Sequence, residues 1–435
     1  MTAQIQAVRG MNDVLPADIG LWQRLEGTAR ELLEAYGYAE MRTPVVEHTE
    51  LFKRAIGEHT DVVEKEMFTF ADQGGESLTL RPEATAGCVR AVIGNGMLRG
   101  QRHKLWCIGP MFRHERPQKG RFRQFYQLNV EAIGFAGPDV DTELIALSAR
   151  LWRRLGIERV ALHVNSLGTP ESRRAYREKL TAYLRAREAE LDADSRRRLV
   201  LNPLRILDSK NPEMQELIAG APVLTEHLDE QSRAHFEEFC GALDDLGLAY
   251  RIDPRLVRGL DYYSRTVFEW ITDALGTQNA VCSGGRYDGL IAQLGGEPTP
   301  AIGFALGIER AVELLRQAAP ASESPAPHVY VIAHGARAGR AGLKLVESLR
   351  DALPQCRFEL GLGGGNFKAQ FRRADRSGAS LALVMGDEEL DRGTAALKPL
   401  RRESGQSECP VAELPSRIAA ALEAETEGSG GRVPK

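Results

Sequence analysis

Apolar positions recur along this chain with two periods, one typical of helices and one typical of strands. Helical spacing over 20–36 predicts an amphipathic helix that ends at Gly37. A strand-like segment containing Pro44 follows, and 104–133 has the pattern of two strands joined by a polar loop. The next region is denser in charge than its surroundings and helical in pattern, which predicts an inserted helical module at 169–252.

Strand patterns return at 262–271 and 278–283, and a helix is expected to begin near Leu306. The stretch 318–327 is rich in Pro, Ala and Ser, which is typical of a linker. Strand and helix patterns then alternate over 328–424. That alternation predicts a separate α/β domain with a largely parallel sheet.

These patterns divide the chain into several parts. The first domain is expected in two pieces, 1–168 and 253–317, on either side of the inserted module. The last residues, 425–435, are expected to form a disordered tail.

Composition narrows the class of protein. The 435 residues are 43% hydrophobic and 27% charged, with a formal net charge of −4. This balance is that of a globular protein and excludes a uniformly basic nucleic-acid binder, so phosphate contacts would depend on local patches. The six cysteines form no CxxC pair, and no apolar stretch approaches membrane-spanning length. We therefore expect a soluble, cytoplasmic protein.

Basic residues concentrate in the loop between the two strands of 104–133. Five of them lie there with a single acid, Glu115. The basic residues are Arg113, Arg116, Lys119, Arg121 and Arg123. Such a cluster suits a polyphosphate ligand, although a solvated hairpin tip has the same composition.

The strand after this loop carries polar groups on one face. Its period of two places Phe125, Gln127, Asn129 and Glu131 together, opposite a mostly apolar face. An aromatic ring, two amides and a carboxylate in a row are suited to line a pocket. From alternation alone, a half-exposed strand explains them equally well.

Four further segments hold candidate ligand groups. They are 80–85 with Glu83 and Thr85, 258–265 with Arg258, Tyr262 and Tyr263, 283–289 with three glycines and Tyr287, and 301–311 with Arg310 on an opening helical turn. Each has a structural alternative when taken alone: an acidic first helical turn, a structural arginine with core tyrosines, a plain turn, and a solvated helix start. Neither a GxxxxGK[ST] loop nor an HExxH motif is present. If the protein binds ATP, the nucleotide is therefore expected on a sheet with arginine clamps and an aromatic face.

Taken together, the segments resemble the class II aminoacyl-tRNA synthetase family, and within it the bacterial histidyl-tRNA synthetases. The similar segments are RGMNDVLP (9–16), RTPVVEHTELF (42–52), LRPEATAG (80–87), FRHERPQKGRFRQFYQLNVEAIG (112–134), RGLDYYSRTVFEW (258–270), SGGRYDGL (283–290), GFALGIER (303–310) and LGGGNFKAQFRRADRSGA (362–379). RGLDYY and GGRYDGL in this order are the most specific. Ala84 stands where the family commonly has glycine.

The resemblance implies an α+β fold with an antiparallel catalytic sheet and flanking helices, an inserted helical domain and a C-terminal α/β anticodon-binding domain. It implies a homodimer built through the N-terminal helix–strand region. Its substrates would be L-histidine, ATP with Mg²⁺, and tRNA(His). Histidine would react with ATP to give histidyl-adenylate and pyrophosphate, and would then pass to the 3′ end of the tRNA.

By the same resemblance, individual residues acquire roles. Arg113 and Arg258 would hold the α-phosphate, Phe125 would stack on adenine, and Arg310 would close the other face of the base. Glu115 and Arg121 would help to position the nucleotide. The residues that would bind histidine are Glu83, Thr85 and Gln127 at its ammonium group, Glu131 and Tyr263 at its imidazole nitrogens, and Tyr262 and Tyr287 around the pocket.

Two other functions remain as alternatives. A histidine-sensing paralogue, such as the regulatory subunit of ATP phosphoribosyltransferase, typically lacks the anticodon domain and intact ATP arginines. A plain RNA-binding scaffold does not explain a polar pocket face beside three separate arginine sites. The basic helix with Lys368, Arg372, Arg373 and Arg376 is compatible both with tRNA phosphate contacts and with an ordinary solvated face.

Overall fold

The structure is a computed structural model of the 435-residue chain. It describes residues 4–58, 60–118, 120–207, 209, 211–257, 259–276, 280–318, 326–402 and 405–429, with no side-chain description beyond 424. The chain separates into two compact units, Met1–Ala321 and Ser322–Lys435. The division falls within the stretch expected to be a linker.

The first unit begins with a helix, a small sheet and two strands of a large sheet. Its elements up to the inserted module are α1 (Ile19–Ala35), β1 (Ala39–Glu40), β2 (Val46–His48), α2 (Thr49–Ile56), β3 (Phe68–Ala71), β4 (Ser77–Leu80), α3 (Thr85–Gly94), β5 (His103–Phe112), β6 (Gln124–Ile133), α4 (Pro138–Leu155) and β7 (Ala161–Ser166). Those that follow are α5 (Pro170–Arg185), α6 (Ala193–Leu201), α7 (Gln215–Ala219), α8 (Glu230–Asp245), β8 (Arg251–Ile252), β9 (Ser264–Ile271), β10 (Ala280–Arg286), α9 (Leu290–Gln293), β11 (Ala301–Gly307) and α10 (Ile308–Ala318).

An eight-stranded sheet organises this unit, in the order β1-β5-β6-β11-β10-β9-β7-β8. The six central strands, from β5 to β7 in this order, each pair with their neighbours in antiparallel fashion. The two short edge strands are parallel to their neighbours, β1 to β5 and β8 to β7. The antiparallel sheet expected from the family resemblance is therefore present. The strand pair predicted over 104–133 corresponds to β5 and β6.

One face of the sheet is covered by helices. Leu128, Val130 and Ala132 of β6 are fully buried there, in a core shared with α1, α4, α8 and α10. This is the apolar face that the alternation predicts, and its burial leaves Phe125, Gln127, Asn129 and Glu131 on the other face.

The module expected over 169–252 contains helices that pack in two different cores. Phe236, Phe239 and Leu243 of α8 are buried in the same core as α4, and β8 adds to the large sheet. Helix α5 packs through Tyr176, Leu180 and Leu184 into a second core, which also includes residues of α2 and α3. We propose that the module comprises 170–227 and that α8 and β8 belong with the large sheet.

The helix expected near Leu306 begins at Ile308, two residues later, because β11 remains paired with β6 as far as Gly307. The expected loop at SGGRYDG is corrected in part. Gly284 and Gly285 lie in strand β10, and Gly289 lies in the turn before α9. A Cβ at Gly284 would lie 2.2 Å from the carbonyl oxygen of Gly303, so the close approach of β11 requires glycine there.

The second unit is a five-stranded sheet with helices. Its elements are β12 (Val329–His334), α11 (Ala336–Ala352), β13 (Phe358–Leu360), α12 (Phe367–Arg376), β14 (Leu381–Gly386), α13 (Asp387–Arg392), β15 (Thr394–Pro399), β16 (Ser407–Pro410) and α14 (Leu414–Ser429). The order is β13-β12-β14-β15-β16, with parallel pairs among the first three strands and antiparallel pairs among the last three.

The structure contains some, but not all, of the elements predicted for the C-terminal part of the chain. The alternation identified β12 to β14 and the two helices between them, whereas β15, β16 and α14 were not anticipated. Helix α14 continues to Ser429 and so replaces the first part of the tail expected at 425–435. Residues 430–435, and 319–325 of the expected linker, lie outside the described residues. Within the described chain, no helix is both long and apolar enough to cross a bilayer.

Candidate active site

A cavity of about 990 Å³ lies on the sheet face opposite the helical core. Its floor includes one row of paired positions that crosses five strands, namely Asn129, Ala305, Ser283, Glu269 and His163. The cavity wall includes most of the residues singled out from the sequence. These are Glu83, Thr85, Arg113, Glu115, Arg121, Phe125, Gln127, Tyr262, Tyr263, Tyr287 and Arg310.

Glu83 and Thr85 stand at the start of α3. Both oxygens of the buried Glu83 carboxylate accept backbone N–H groups, from Thr85 at 2.7 Å and Ala86 at 2.9 Å. Burial raises the pKa of Glu83, and these hydrogen bonds oppose the rise. The structural alternative given for 80–85, an acidic group at the start of a helix, is therefore correct. Glu83 also lines the cavity, so this structural role does not exclude a ligand-binding one. A carboxylate held in this way can bind an ammonium group.

Glu131 lies behind the cavity wall, 2% exposed, and three donors enclose it. Thr85 Oγ1 and Asn129 Nδ2 donate to its Oε1 at 2.6 and 2.5 Å, and the Tyr287 hydroxyl donates to its Oε2 at 2.5 Å. Burial raises the pKa of Glu131 to about 8, although all three hydrogen bonds favour the charged form. Burial thus favours the protonated carboxyl group, while the three donors favour the ionised carboxylate.

Glycine at 303 makes room for this carboxyl group. Gly303 pairs with Glu131 across β11 and β6, and a Cβ on it would lie 1.7 Å from Glu131 Oε2. No real Cβ tolerates such a contact. The glycine of GFALGIER is therefore required by the carboxyl group on the neighbouring strand.

Three tyrosines form one side of the pocket. The rings of Tyr262 and Tyr263 have centroids 4.6 Å apart, and Tyr287 packs edge-on to Tyr262 at 5.8 Å. Burial raises the pKa values of Tyr262 and Tyr287 well above the ordinary tyrosine value. Their hydroxyls thus remain protonated as neutral hydrogen-bonding groups. The tyrosine hydroxyl that contacts Glu131 is that of Tyr287.

The basic end of the cavity lies beside this polar pocket. Arg113 donates from Nε to the carbonyl oxygen of Pro82 at 2.8 Å, and its guanidinium lies 5.4 Å from the centre of the Phe125 ring. Arg121 forms an ion pair with Glu115. Burial lowers the pKa of Arg121, with the nearby Glu66 acting in the opposite direction.

Arg310 reaches the same region from the first turn of α10. Burial and then the positive charge of Arg121 lower its pKa, which Glu269 opposes. Two partly buried guanidinium groups close together can neutralise phosphate oxygens. Two separate chain segments, 113–125 and the start of α10 at Arg310, thus converge on one chamber.

Arg258, predicted to hold the α-phosphate, lies outside the described residues, as does Lys119. The flanking Val257 and Gly259 line the cavity. Among the residues that are described, no group of three or more His, Cys, Asp or Glu side chains could hold a metal ion.

Sequence reasoning missed some residues of the chamber. Asn129 was placed on the correct strand face but given no role. Glu309 lies in the wall, and both its carboxylate oxygens accept from the backbone N–H of Tyr126, at 2.9 and 3.0 Å. The inserted module contributes Arg198 and Arg205 to the wall. No local pattern in the sequence could have identified Glu309, because Tyr126, which it binds, lies 183 residues away. The same holds for the two arginines, because the cavity that they line is formed mainly by other parts of the chain.

Arg286 has a structural role instead. It is fully buried, and it pairs with Asp141 of α4 at 2.7 Å and donates to the Phe135 carbonyl oxygen at 3.0 Å. Asp141 also contacts His235 Nε2 of α8 at 2.9 Å. The arginine of GGRYDG thus ties β10 to helices on the other side of the sheet.

The antiparallel sheet with this chamber and the separate α/β unit define a class II aminoacyl-tRNA synthetase. A family model described as histidyl-tRNA synthetase matches residues 10–311, and one described as anticodon binding domain matches 328–421. The chain belongs to the histidyl-tRNA synthetase family.

Solved structures agree with this family. The apo histidyl-tRNA synthetase of S. aureus is 35% identical, with a TM-score of 0.80 over 95% of this chain and 100% of that one. The histidyl-tRNA synthetase of Nostoc sp. PCC 7120, 18% identical, has a TM-score of 0.67 over 96% and 100% of the two chains. An ATP phosphoribosyltransferase regulatory subunit/histidyl-tRNA synthetase from Bacillus halodurans C, 23% identical, has a TM-score of 0.64 over 89% and 99%. The last two likenesses show the fold alone.

The predictions of family, fold class and enzyme class are thus confirmed. The two matched domains and the S. aureus structure support a histidine–tRNA ligase. The anticodon-binding match at 328–421 also argues against the alternative of a histidine-sensing paralogue without that domain.

Proposed function

We propose that the chamber binds L-histidine and ATP side by side and joins them as histidyl-adenylate before transfer to tRNA(His). One strand, β6, supports this assignment most directly. It presents Phe125 beside the arginines and Gln127 at the centre, and it holds Glu131 at the tyrosine end. A nucleotide site and an amino-acid site thus adjoin each other along a single strand.

The ammonium group of histidine is assigned to Glu83, Thr85 and Gln127. Glu83 supplies a buried negative charge, and Gln127 Oε1 is buried with no hydrogen-bond partner among the described residues. An ammonium group has three donors and would satisfy such acceptors. We assign the imidazole to Glu131 and Tyr263, with Tyr262 and Tyr287 shaping the pocket.

The nucleotide is assigned to the basic end. Phe125 stacks on adenine, Arg310 covers the other face of the base, and Glu115 with Arg121 positions the nucleotide. The Arg113 guanidinium lies 5.4 Å from the centre of the Phe125 ring, and we assign it to the α-phosphate of bound ATP. Arg258 is assigned to the same phosphate on the family resemblance alone.

The first step needs positioning and charge compensation more than proton transfer. The histidine carboxylate is ionised at neutral pH, so it attacks the α-phosphorus without a general base. Pyrophosphate leaves in line, and Arg113 and Arg258 stabilise the charge that spreads over the phosphate oxygens. Mg²⁺ bound to the ATP phosphates supplies further positive charge.

In the second step a terminal ribose hydroxyl of tRNA, the 3′-OH by family analogy, attacks the adenylate carbonyl. The ester forms and AMP leaves with the bonding electrons. A phosphate oxygen of the adenylate is our candidate for the proton acceptor. We further propose that the protein acts as a cytoplasmic homodimer.

We attribute selectivity for histidine to hydrogen bonds that its imidazole can form with Glu131 and Tyr263 and that an apolar side chain cannot. An apolar side chain in the pocket would exclude water from Glu131 and Tyr263 without offering them a donor or an acceptor, and each hydrogen bond lost in this way costs about 1–3 kcal/mol, more at a charged group. Sites of this kind reject unmatched analogues by roughly 10⁴–10⁵-fold.

The decisive experiment is ATP–pyrophosphate exchange assayed with each of the twenty amino acids. Histidine alone should support exchange, and exchange with another amino acid, or with none, would refute the proposal. Glu131→Ala should abolish histidine-dependent exchange while ATP binding survives. Arg258→Lys should lose single-turnover adenylation, because an ammonium group cannot reproduce a planar two-pronged contact.

A further inference from the structure

The space around Glu131 contains one polar side chain that no role described above uses. Asn129 lies two residues before Glu131 on β6, lines the cavity and is 1% exposed. Its Nδ2 donates to Glu131 Oε1 at 2.5 Å and to Thr85 Oγ1 at 3.2 Å. A buried amide in this position affects both the carboxyl group and the cavity surface.

The hydrogen bonds fix which way the amide faces. When Glu131 is ionised, an amide turned round would place Oδ1 against the carboxylate oxygen, and two acceptors would meet in a buried place. Nδ2 therefore belongs on the Glu131 side. Oδ1 is left as a buried acceptor that has no partner in the described part of the chain. A buried acceptor without a partner is uncommon and costs free energy, which a ligand N–H can recover.

Imidazole offers a donor of this kind. Its neutral ring carries one N–H and one acceptor nitrogen, and the protonated ring carries two N–H groups. An apolar ring or an aliphatic side chain has none. Asn129 also lies between Gln127 and Glu131 on the strand face, the positions assigned to the two ends of bound histidine.

We propose that Asn129 is a specificity-determining residue, whose Nδ2 holds the Glu131 carboxyl group in place and whose Oδ1 accepts an N–H of the histidine imidazole. The proposal rests on the proposed function, since it takes histidine to be the bound amino acid. It assigns to this chain a third imidazole-recognising group beside Glu131 and Tyr263.

The test uses the full-length protein with Asn129→Ala and Asn129→Leu. Steady-state exchange should give a KM for histidine about tenfold higher than the wild-type value, with the KM for ATP within twofold. Two variants of different volume separate the loss of the amide from a packing defect. If only one of them folds, the other still decides the outcome.

A second measurement asks whether the amide recognises the ring N–H. Thiazolylalanine has a five-membered ring with an acceptor nitrogen but no N–H. The ratio of kcat/KM for histidine to that for thiazolylalanine should fall about tenfold in the Asn129 variants. A merely structural role would weaken both substrates in parallel and leave this ratio unchanged.

Ser148→Ala is the matched control. The Ser148 hydroxyl accepts from Trp270 Nε1 and donates to the Ile145 carbonyl oxygen, both at 2.8 Å, within the core on the opposite face of the sheet, so the variant also loses buried hydrogen bonds. Its two KM values and its selectivity ratio should equal those of the wild type. Asn129 variants that behave like this control, or that lose histidine and ATP affinity equally, would overturn the proposal. Absence of histidine-dependent exchange in the wild type would instead refute the proposed function.

Discussion

At the scale of single residues, Glu131 carries a free-energy cost that depends on pH. Burial raises its folded-state pKa from 4.5 to about 8, so the unfolded chain releases this proton first as pH rises. The folded state is therefore destabilised progressively between pH 4.5 and about 8, by on the order of 5 kcal/mol without ligand. Below this window the protonated carboxyl group imposes no such cost.

Glu131→Gln removes the titration and should reveal this cost. Thermal unfolding without histidine should give a Tm difference, variant minus wild type, that increases from pH 5 to pH 8.5. The three donors around position 131 add only an offset that does not depend on pH. A difference that stays constant over the range would mean that Glu131 does not titrate with a raised pKa.

At Gly303, a single added carbon atom would displace the Glu131 carboxyl group. Gly303→Ala places a methyl group in the space that Glu131 Oε2 occupies, so the carboxyl group must leave its three donors. We expect histidine-dependent exchange to fall at least about 100-fold, while ATP binding measured directly remains within a few-fold.

Gly241→Ala is the control for this substitution. Gly241 lies within α8, and an added Cβ there meets no atom within 4 Å. This variant should keep wild-type activity and gain about 0.5–1 kcal/mol of stability, because alanine is the better helix former. Normal histidine kinetics in Gly303→Ala would show that Glu131 can move without loss of the site.

At the scale of elements, the ends of β6 and α10 are joined through a side chain. The β6–β11 ladder stops at the Gln127–Gly307 pair, and the Glu309 carboxylate then accepts the next free N–H, that of Tyr126. Phe125 directly precedes Tyr126, and Arg310 directly follows Glu309. These are the two residues that we assign to the two faces of adenine. If adenine binds between Phe125 and Arg310 as proposed, this carboxylate would fix the spacing between them.

Glu309→Ala should therefore act on ATP more than on histidine. It leaves the Tyr126 N–H unsatisfied, which costs about 1–3 kcal/mol, and we expect the KM for ATP to rise about tenfold or more. Glu309→Gln keeps an acceptor oxygen and should recover most of the affinity. A larger effect on the KM for histidine, or no recovery in the glutamine variant, would contradict this role.

Elements with a clear period could be predicted from the sequence, and those defined by distant partners could not. The faces of β6 followed from alternation because one face meets a helical core. The start of α10 could be predicted to within two residues, and pairing with β6 extends β11 as far as Gly307. The first part of β10 had a strand pattern, whereas Gly284 and Gly285, which serve close strand packing there, resembled a loop. Helix α8 was assigned to the insertion because its core partners precede it by almost a hundred residues.

At the scale of the whole molecule, the chemistry and the basic helix α12 lie in different compact units. Lys368, Arg372 and Arg376 are exposed at intervals of four residues, so they form one stripe along the helix. Arg373 is instead bound to the carbonyl oxygen of Gly364. The stripe lies within 328–421, the part of the chain that matches the anticodon-binding family model.

Replacing Lys368, Arg372 and Arg376 together by alanine should separate the two functions. Histidine-dependent exchange, which needs no tRNA, should be unchanged, while the KM for tRNA in aminoacylation rises. The slope of log affinity against log salt should decrease by about one for every phosphate that the helix no longer neutralises, which filter binding at several salt concentrations measures. The matched control, Arg340→Ala with Lys344→Ala, removes two exposed cations from α11 of the same unit. An equal decrease of the slope in both variants would mean that the positive charge of the unit acts diffusely, whereas a decrease confined to α12 would identify this helix as the tRNA-contacting face.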